Sequence, residues 1–584
     1  MNIKTVSIFL LSLLMVACQS EGGNQKTTNG KSSSELRPAA GGKYYGGVFK
    51  TNGVEYFRSL YPLNITEVGG HRVTNQLYEG LVGFDQADLS IKPVLAESWT
   101  VSEDVKTYTF QIRKGVKFHD DACFPDGKGR ELTVEDIKWC LDRMVAFDVN
   151  NKGYDFYKDR ILGAEAYYTA TKEGKMPEGG CEGIKITEDG KLQVILTKPI
   201  AGFLNLLALP FSEIYPREAW EKYKEEMRIK AVGTGPFFIK AIRENDALIL
   251  AKNPNYWGKD KHGNQLPYLD AVRWSYVGDQ KSELLNFKKG DLSFTYRLPL
   301  EMVDDILDKN GKLTEAYSQF VYQETPALAV QYYGFKMSEG VFAENKKLRQ
   351  AMNYAIDREK IINYALKGAG VPALGIVPAA FKTYDSKSLK GYDFNPEKAK
   401  KLLAEAGFAN GKDVGEITLQ INSGGSRNEQ IAEAIQSMLK ENLNLEINIT
   451  KMPFAQHLEA QETSKTSFWR AGWVADYPDP ENFLNLVQSK HIPEKLSDRS
   501  YLNTFRYRNA QVDALYEEAQ RTLDETKRND LYRQADQLVI DDAPIIPIFY
   551  DKDRRLVQPY VKNFPQNAME YRSFREVYFE PENK

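Results

Sequence analysis

Apolar positions recur along this chain at two periods, close to 2 and close to 3.6, and the two alternate over much of its length. Tyr108-Thr109-Phe110-Gln111-Ile112 alternates apolar with polar, which predicts a strand with one buried face. A shorter strand opens at Gly47 to Lys50, and another is predicted over Gly190 to Thr197. Between them Ile137, Cys140, Leu141 and Met144 fall on one helical face. Thr133 precedes that face with an acid, Asp136, three residues on, the spacing of a capping box.

The plainest unit lies near residue 420. Ile417, Leu419 and Ile421 alternate, Ser423-Gly424-Gly425-Ser426 breaks the run, and Ile431, Ile435, Met438 and Leu439 share a helix face. Leu445, Ile447 and Ile449 then alternate again. Strand, crossover helix, strand predicts a parallel pair, and ligands of open α/β sheets bind beyond the carboxyl ends of such strands. The loop at 423–427 is therefore placed near a crevice. Upstream, Asn395-Pro396-Glu397 starts a helix striped by Ala399, Leu402, Leu403 and Ala406 and stopped by Gly407. Leu348, Met352, Ala355 and Ile356 mark another, and Asp357 is placed to cap the next. No period of 20–50 residues repeats, so a solenoid or propeller is not expected.

The first residues follow a different pattern. Lys4 precedes Val6–Val16, an apolar run broken only by Ser7 and Ser12. That is about half of the ~20 residues needed to span a bilayer, so it reads as a signal peptide over 1–17. It ends Leu14-Met15-Val16-Ala17-Cys18, which resembles the bacterial lipobox, with Met15 where Leu is commoner. The resemblance implies cleavage before Cys18, a lipid on its sulfur, and anchorage to a membrane outside the cytoplasm. Residues 18–42 are rich in Gly, Ser, Thr and Lys and read as a flexible tether.

Composition narrows the function. The chain has 584 residues, enough for several lobes at roughly 100–200 residues per domain. A formal net charge of −3 argues against nucleic acid, which needs a basic surface. Five scattered His and no CxxC predict neither a metal site nor a cofactor. Of the remaining cysteines, Cys140 lies on a helix face, whereas Cys123 and Cys181 sit in Gly-rich loops of an exported chain. The last two are expected to form a disulfide. Walker, HExxH and GxSxG motifs are absent, and Val232-Gly233-Thr234-Gly235-Pro236-Phe237 makes a poor phosphate cradle. Export, α/β lobes and no chemistry point to a binding protein rather than an enzyme.

Seven segments, in order, resemble the family 5 solute-binding proteins of ABC transporters, the oligopeptide- and dipeptide-binding group. They are Lys92–Trp99, Tyr108–Asp120, Leu132–Asp136, Gly233–Phe237, Asn253–Trp257, Arg349–Arg358 and Ala543–Pro547. The longer stretch Asp121 to Glu131, which holds Cys123, departs from the family pattern. The resemblance implies a two-lobed, type II periplasmic-binding-protein fold of class α/β with an additional α/β domain, the lobes joined by a hinge. Mapped onto this chain, lobe one is 43–78, 217–329 and 551–584; the extra domain is 79–216; lobe two is 330–550. It further implies a monomer that hands its ligand to a membrane permease.

Arg470 to Asn485, RAGWVADYPDPENFLN, is similar to the oligopeptide-binding subgroup. That likeness implies that Asp476 anchors the α-ammonium of a short peptide, beside Gly472 and Trp473, and that Arg470 meets the far carboxylate. Tyr154, Thr234 and Tyr333 fall where the family has cleft-lining residues. Asp479, before Pro480 and an apolar run, reads as a helix N-cap, and Glu481 as an acid in that helix's first turn. Asp476 has no such structural role. Its alternative is a simple ion pair with Arg470. Rival readings of the whole chain are a binder of a metal chelate, sugar or opine, a peptide-sensing receptor, and a secreted hydrolase.

Overall fold

The computed structural model describes residues 35–581 apart from 54, 55, 66, 245, 382, 424, 425, 496 and 497. Cys18, the signal segment and most of the tether lie outside the described residues. The tether's last residues are not loose: Arg37–Ala39 pairs antiparallel with Lys43–Tyr45. Gly41 and Gly42, both at φ +71°, supply the left-handed turn, and the Asn264 amide bridges to Ala40. The glycines that suggested flexibility make a hairpin.

Three sheets organise the chain. A four-stranded sheet runs Phe237–Arg243, Ala247–Lys252, Ala271–Tyr276, Val48–Gly53, and its last pair is parallel. A second, antiparallel throughout, runs Ala96–Val101, Thr107–Ile112, Leu192–Ile195, Ile184–Ile186. The helix Val134–Met144 packs on it. Its capping box forms as the sequence predicts, with Thr133 and Asp136 exchanging side-chain-to-backbone bonds. Ile137, Cys140, Leu141 and Met144 are all buried.

The third sheet has six strands, in the order Gly370–Pro372, Ile545–Val557, Val321–Phe335, Phe468–Val474, Ile417–Asn422, Ile447–Met452. The βαβ unit forms as read: Ile417–Asn422 and Ile447–Met452 pair in parallel, linked by the helix Ser426–Leu443. The helices Pro396–Glu405 and Arg358–Ala365 start on Asn395 and Asp357, each of which accepts an N–H from the first turn.

Two strands of this sheet are unusually long. Val321–Phe335 and Ile545–Val557 pair twice, over Val321–Pro326 and again over Val330–Gly334, with a register break at Pro326/Val330 between. Proline has no N–H to give the ladder, which suits Pro326 to the edge of that break. The chain therefore crosses twice, side by side, between the part holding Phe294 and the part holding Phe468.

The expected disulfide is absent: Cys123, Cys140 and Cys181 are all free thiols. The two thiols are held by different parts of the chain. Cys181 donates its N–H to Asp142 Oδ1, on the helix Val134–Met144, at 3.0 Å. Cys123 sits in the loop that Lys222 and Tyr223 hold by its Ala122 carbonyl and Asp121 carboxylate. Burial pushes the Cys123 thiol up to about 12 and that of Cys181 to about 11, so neither is a ready thiolate.

Candidate functional site

Phe468–Val474 carries the segment singled out in the sequence. Phe468 and Trp469 anchor its start in the core, and then the strand emerges: Gly472, Val474 and Asp476 are exposed. One edge pairs with Val321–Phe335 along its whole length. Along the other edge Ile417–Asn422 pairs only at Phe468 and Trp469. From Ala471 to Val474 that second edge has no ladder partner among the described residues. The strand ends where Ala475 donates its N–H to the Leu328 carbonyl and Pro478 and Pro480 forbid continuation.

Asp476 sits in a recess open to solvent on one side. Asn482, buried at the start of the following helix, organises it. Its Oδ1 accepts from Trp473 Nε1 at 2.8 Å and from the Asp476 N–H at 3.1 Å, while its Nδ2 donates to Asp476 Oδ2 at 3.1 Å. The Tyr501 ring stands edge-on to Trp473 at 6.4 Å and is 69% exposed. Desolvation by these walls raises the Asp476 carboxyl above its ordinary pKa; the Asn482 bond offsets part of the rise and the Glu481 charge adds to it.

Arg470 does not pair with Asp476. Its guanidinium donates to Gln331 Oε1 and to Asn422 Oδ1 (3.2 Å). Gln331 in turn donates to Asp551 Oδ2 at 2.9 Å, and Arg427 reaches Asp551 Oδ1 at 2.7 Å. Arg427 thus pairs with Asp551 directly, and Arg470 reaches it only through Gln331. Burial holds the Arg470 pKa below its ordinary value, with Tyr333 and Asp551 opposing and the like charge of Arg427 adding to the fall. Gly472 belongs to this cluster sterically. A Cβ there would stand 2.5 Å from Gln331 Oε1, a side chain pinned at both ends.

The other expected residues lie elsewhere. Thr234 is fully buried and donates to Glu79 Oε2 at 2.8 Å, so it lines no cleft here. Tyr333 is buried against Phe468 and reaches Arg470 only from within the sheet. Tyr154, half-buried, stacks on Tyr168 at 3.9 Å. Asp479 caps the N–H of Glu481 as expected, at 3.0 Å, and burial pushes its carboxyl up to about 6. Glu481 lies in the helix's first turn, as expected, and it has further partners there. It is buried and accepts from the Tyr477 and Tyr516 hydroxyls, with Arg160 at 3.8 Å. Asn482, Gln331, Arg427 and Tyr501 were not singled out. Asn and Gln carry no periodic signal, and only the fold brings them beside Asp476 and Arg470.

The description that matches the chain is bacterial extracellular solute-binding proteins, family 5, over residues 90–493. The glutathione-binding protein GsiB of Escherichia coli (strain K12) is 29% identical over 513 residues, 87% of this chain and 89% of the relative. The periplasmic binding protein DppA of Helicobacter pylori, solved in complex with the peptide STSA, superposes with a TM-score of 0.71 at 25% identity, covering 92% of this chain and 99% of that one. HbpA2 of Haemophilus parasuis superposes at 0.73 with 23% identity, covering 92% and 100%, which speaks for the fold alone. The fold is the two-lobed, type II periplasmic-binding-protein fold, α/β in class. Proteins of this kind act outside the cytoplasm with ABC permeases and bind rather than convert their solutes. No helix among the described residues is long and apolar enough to cross a membrane. The chain belongs to the family 5 bacterial extracellular solute-binding proteins of ABC importers.

Proposed function

We propose that this protein captures short peptides with a free N-terminus, glutathione-type tripeptides among them, and delivers them to its permease. The observation that carries the reading is the unpaired strand edge from Ala471 to Val474, with a carboxylate at one end and the guanidiniums of Arg470 and Arg427 at the other. An extended peptide adds to such an edge through main-chain bonds, which every sequence offers. Its α-ammonium meets Asp476, and its carboxylate completes the charge that Asp551 alone leaves uncompensated on Arg427 and Arg470. Affinity then comes from groups all short peptides share.

The curated relatives named for glutathione support the class, since glutathione has an ammonium, an extended backbone and carboxylates. The paired crossing strands support a hinge: closure of the proposed lobe two (330–550) on lobe one (43–78, 217–329, 551–584) and the extra domain (79–216) buries the ligand. The lipobox-like residues support a lipid on Cys18 and membrane anchorage of a monomer. If Cys18→Ser protein still partitions fully into detergent after signal cleavage, the anchor lies elsewhere. The first experiment on the ligand is native mass spectrometry of what co-purifies. A set of short peptides or glutathione is expected; one metal chelate, sugar or opine overturns the reading.

A further inference from the structure

A recess lies away from the peptide strand. It holds about 250 Å³, between the Val82–Phe84 strand, the end of the helix Val68–Leu77 and the chain's last segment near Tyr571. None of its lining residues comes from 470–482. At ~30 Å³ per water that is room for about eight waters, or for one small organic molecule.

Its wall carries an unpaid electrostatic debt. Four carboxylates line it (Glu79, Asp85, Glu213 and Glu576) against two cations, Lys92 and Arg575. Lys92 stands 3.9 Å from Asp85 and Arg575 stands 3.2 Å from Glu576, and the Arg575 charge also reaches Glu79, whereas no cation acts on Glu213 among the described residues. Glu79 accepts from Thr234, Tyr256 and Trp257, each at 2.8 Å, which satisfies it without a further partner. Glu213 is different. It is only 6% exposed, and its Oε2 has no hydrogen-bond partner. The neighbouring Tyr78 hydroxyl, on a residue 2% exposed, has none either. Two such atoms on one wall leave hydrogen-bonding capacity facing the space, which an occupant can meet. Burial drives the Glu213 carboxyl well above its ordinary pKa, and a hydrogen bond with Thr74 offsets only part of the rise. An occupant with a positive charge would let it ionise, whereas a neutral one would not. The rings of Tyr78, Tyr256, Phe84 and Tyr571 complete the lining, and aromatic faces beside a carboxylate suit an ammonium with a short hydrocarbon body.

We infer that this cavity is a binding site for a small primary aliphatic ammonium ion, held by Glu213 Oε2 and the Tyr78 hydroxyl, independent of the peptide cleft. The probe is n-butylamine, with 1-butanol as its neutral counterpart, titrated into the full chain by calorimetry and followed by Tm. One saturable site for the amine and none for the alcohol is expected. Glu213→Gln, which keeps the shape, weakens amine binding at least about tenfold, as loss of a charged hydrogen bond does. Asp476→Asn leaves amine binding unchanged while peptide binding falls, so the two sites fail separately. If Glu213→Gln does not fold, Tyr78→Phe decides: it removes only an unpartnered hydroxyl and should weaken the amine with Tm preserved. Equal binding of amine and alcohol, no saturable site, unaltered amine affinity in the folded variant, or a crystal soaked in the amine that shows only waters in the cavity overturns the inference.

Discussion

Replacing Asp476 by Asn tests the peptide reading most directly, because the structure separates its effect on binding from its effect on folding. The carboxamide keeps an oxygen to accept from Asn482 Nδ2, the 3.1 Å bond that holds the side chain in place. Stability should therefore change little. The charge is what disappears. In the closed complex the peptide ammonium would be desolvated against a neutral group, and breaking a buried pair from one side costs about 3–5 kcal/mol. Charge-assisted hydrogen bonds argue from the other side for about 1.5–3 kcal/mol. The two ranges meet at about 3 kcal/mol, which corresponds to about two decades in Kd at ~1.4 kcal/mol per decade. Calorimetry on wild type and variant, each with a free-amino peptide and its N-acetylated form, closes the cycle. The free-amino peptide should lose those decades and the acetylated form, already weak, very little. Equal losses for both forms would show that Asp476 acts on the protein and not on the ammonium. A pH series adds an independent sign. The free protein's Asp476 pKa is raised, so affinity should begin to fall on acidification above the pH at which an ordinary aspartate titrates.

Asn482→Ala removes the clamp on Trp473 and Asp476 together and should weaken peptide binding by about tenfold or more, with a smaller loss for peptides already lacking the ammonium; calorimetry on both forms reads it. Arg470→Met should cost most for peptides with a free carboxylate and least for C-terminally amidated ones, and an equal loss for both would assign Arg470 to the fold. His119 is buried, with Gly233 N–H donating to its Nδ1 at 3.2 Å and Gly235 O beside Nε2 at 3.0 Å; burial lowers its pKa to about 4. Unfolded, it titrates near about 6.5, so the unfolded chain binds the extra proton between those values. Its contribution, about 3 kcal/mol, should be present above pH ~6.5 and fade as pH falls toward ~4. Urea unfolding against pH for wild type and His119→Gln measures it, and identical slopes would refute it. Non-reducing peptide mapping should find Cys123 and Cys181 both unpaired.

What the sequence determined by itself was local. Thr133 and Asp136 sit three residues apart, Asn395 precedes Pro396, and Leu419 alternates with its neighbours. Each of these settles a cap or a strand because the partners are a turn away, and each forms as written. The family pattern carried further, to Asp476 and Arg470, since the motif spans a single strand and the turn after it. Beyond that, tertiary structure decided. Asp479, Glu481 and Asn482 look alike as polar residues in a first turn. Yet one caps the helix, one is sealed under Tyr477, Tyr516 and Arg160, and one holds Asp476. Arg160 lies more than three hundred positions from Glu481, so no periodicity could join them. Cys123 and Cys181 looked paired because both fall in loops, but where each loop docks is set by distant side chains, Tyr223 for the one and Asp142 for the other. Thr234 matched a cleft position in the motif, and Glu79 drew its hydroxyl inward. Short-range backbone geometry is written in neighbouring residues. The direction a polar side chain takes is settled by which distant group has an unmet charge or hydrogen bond, and that exists only once the chain has folded.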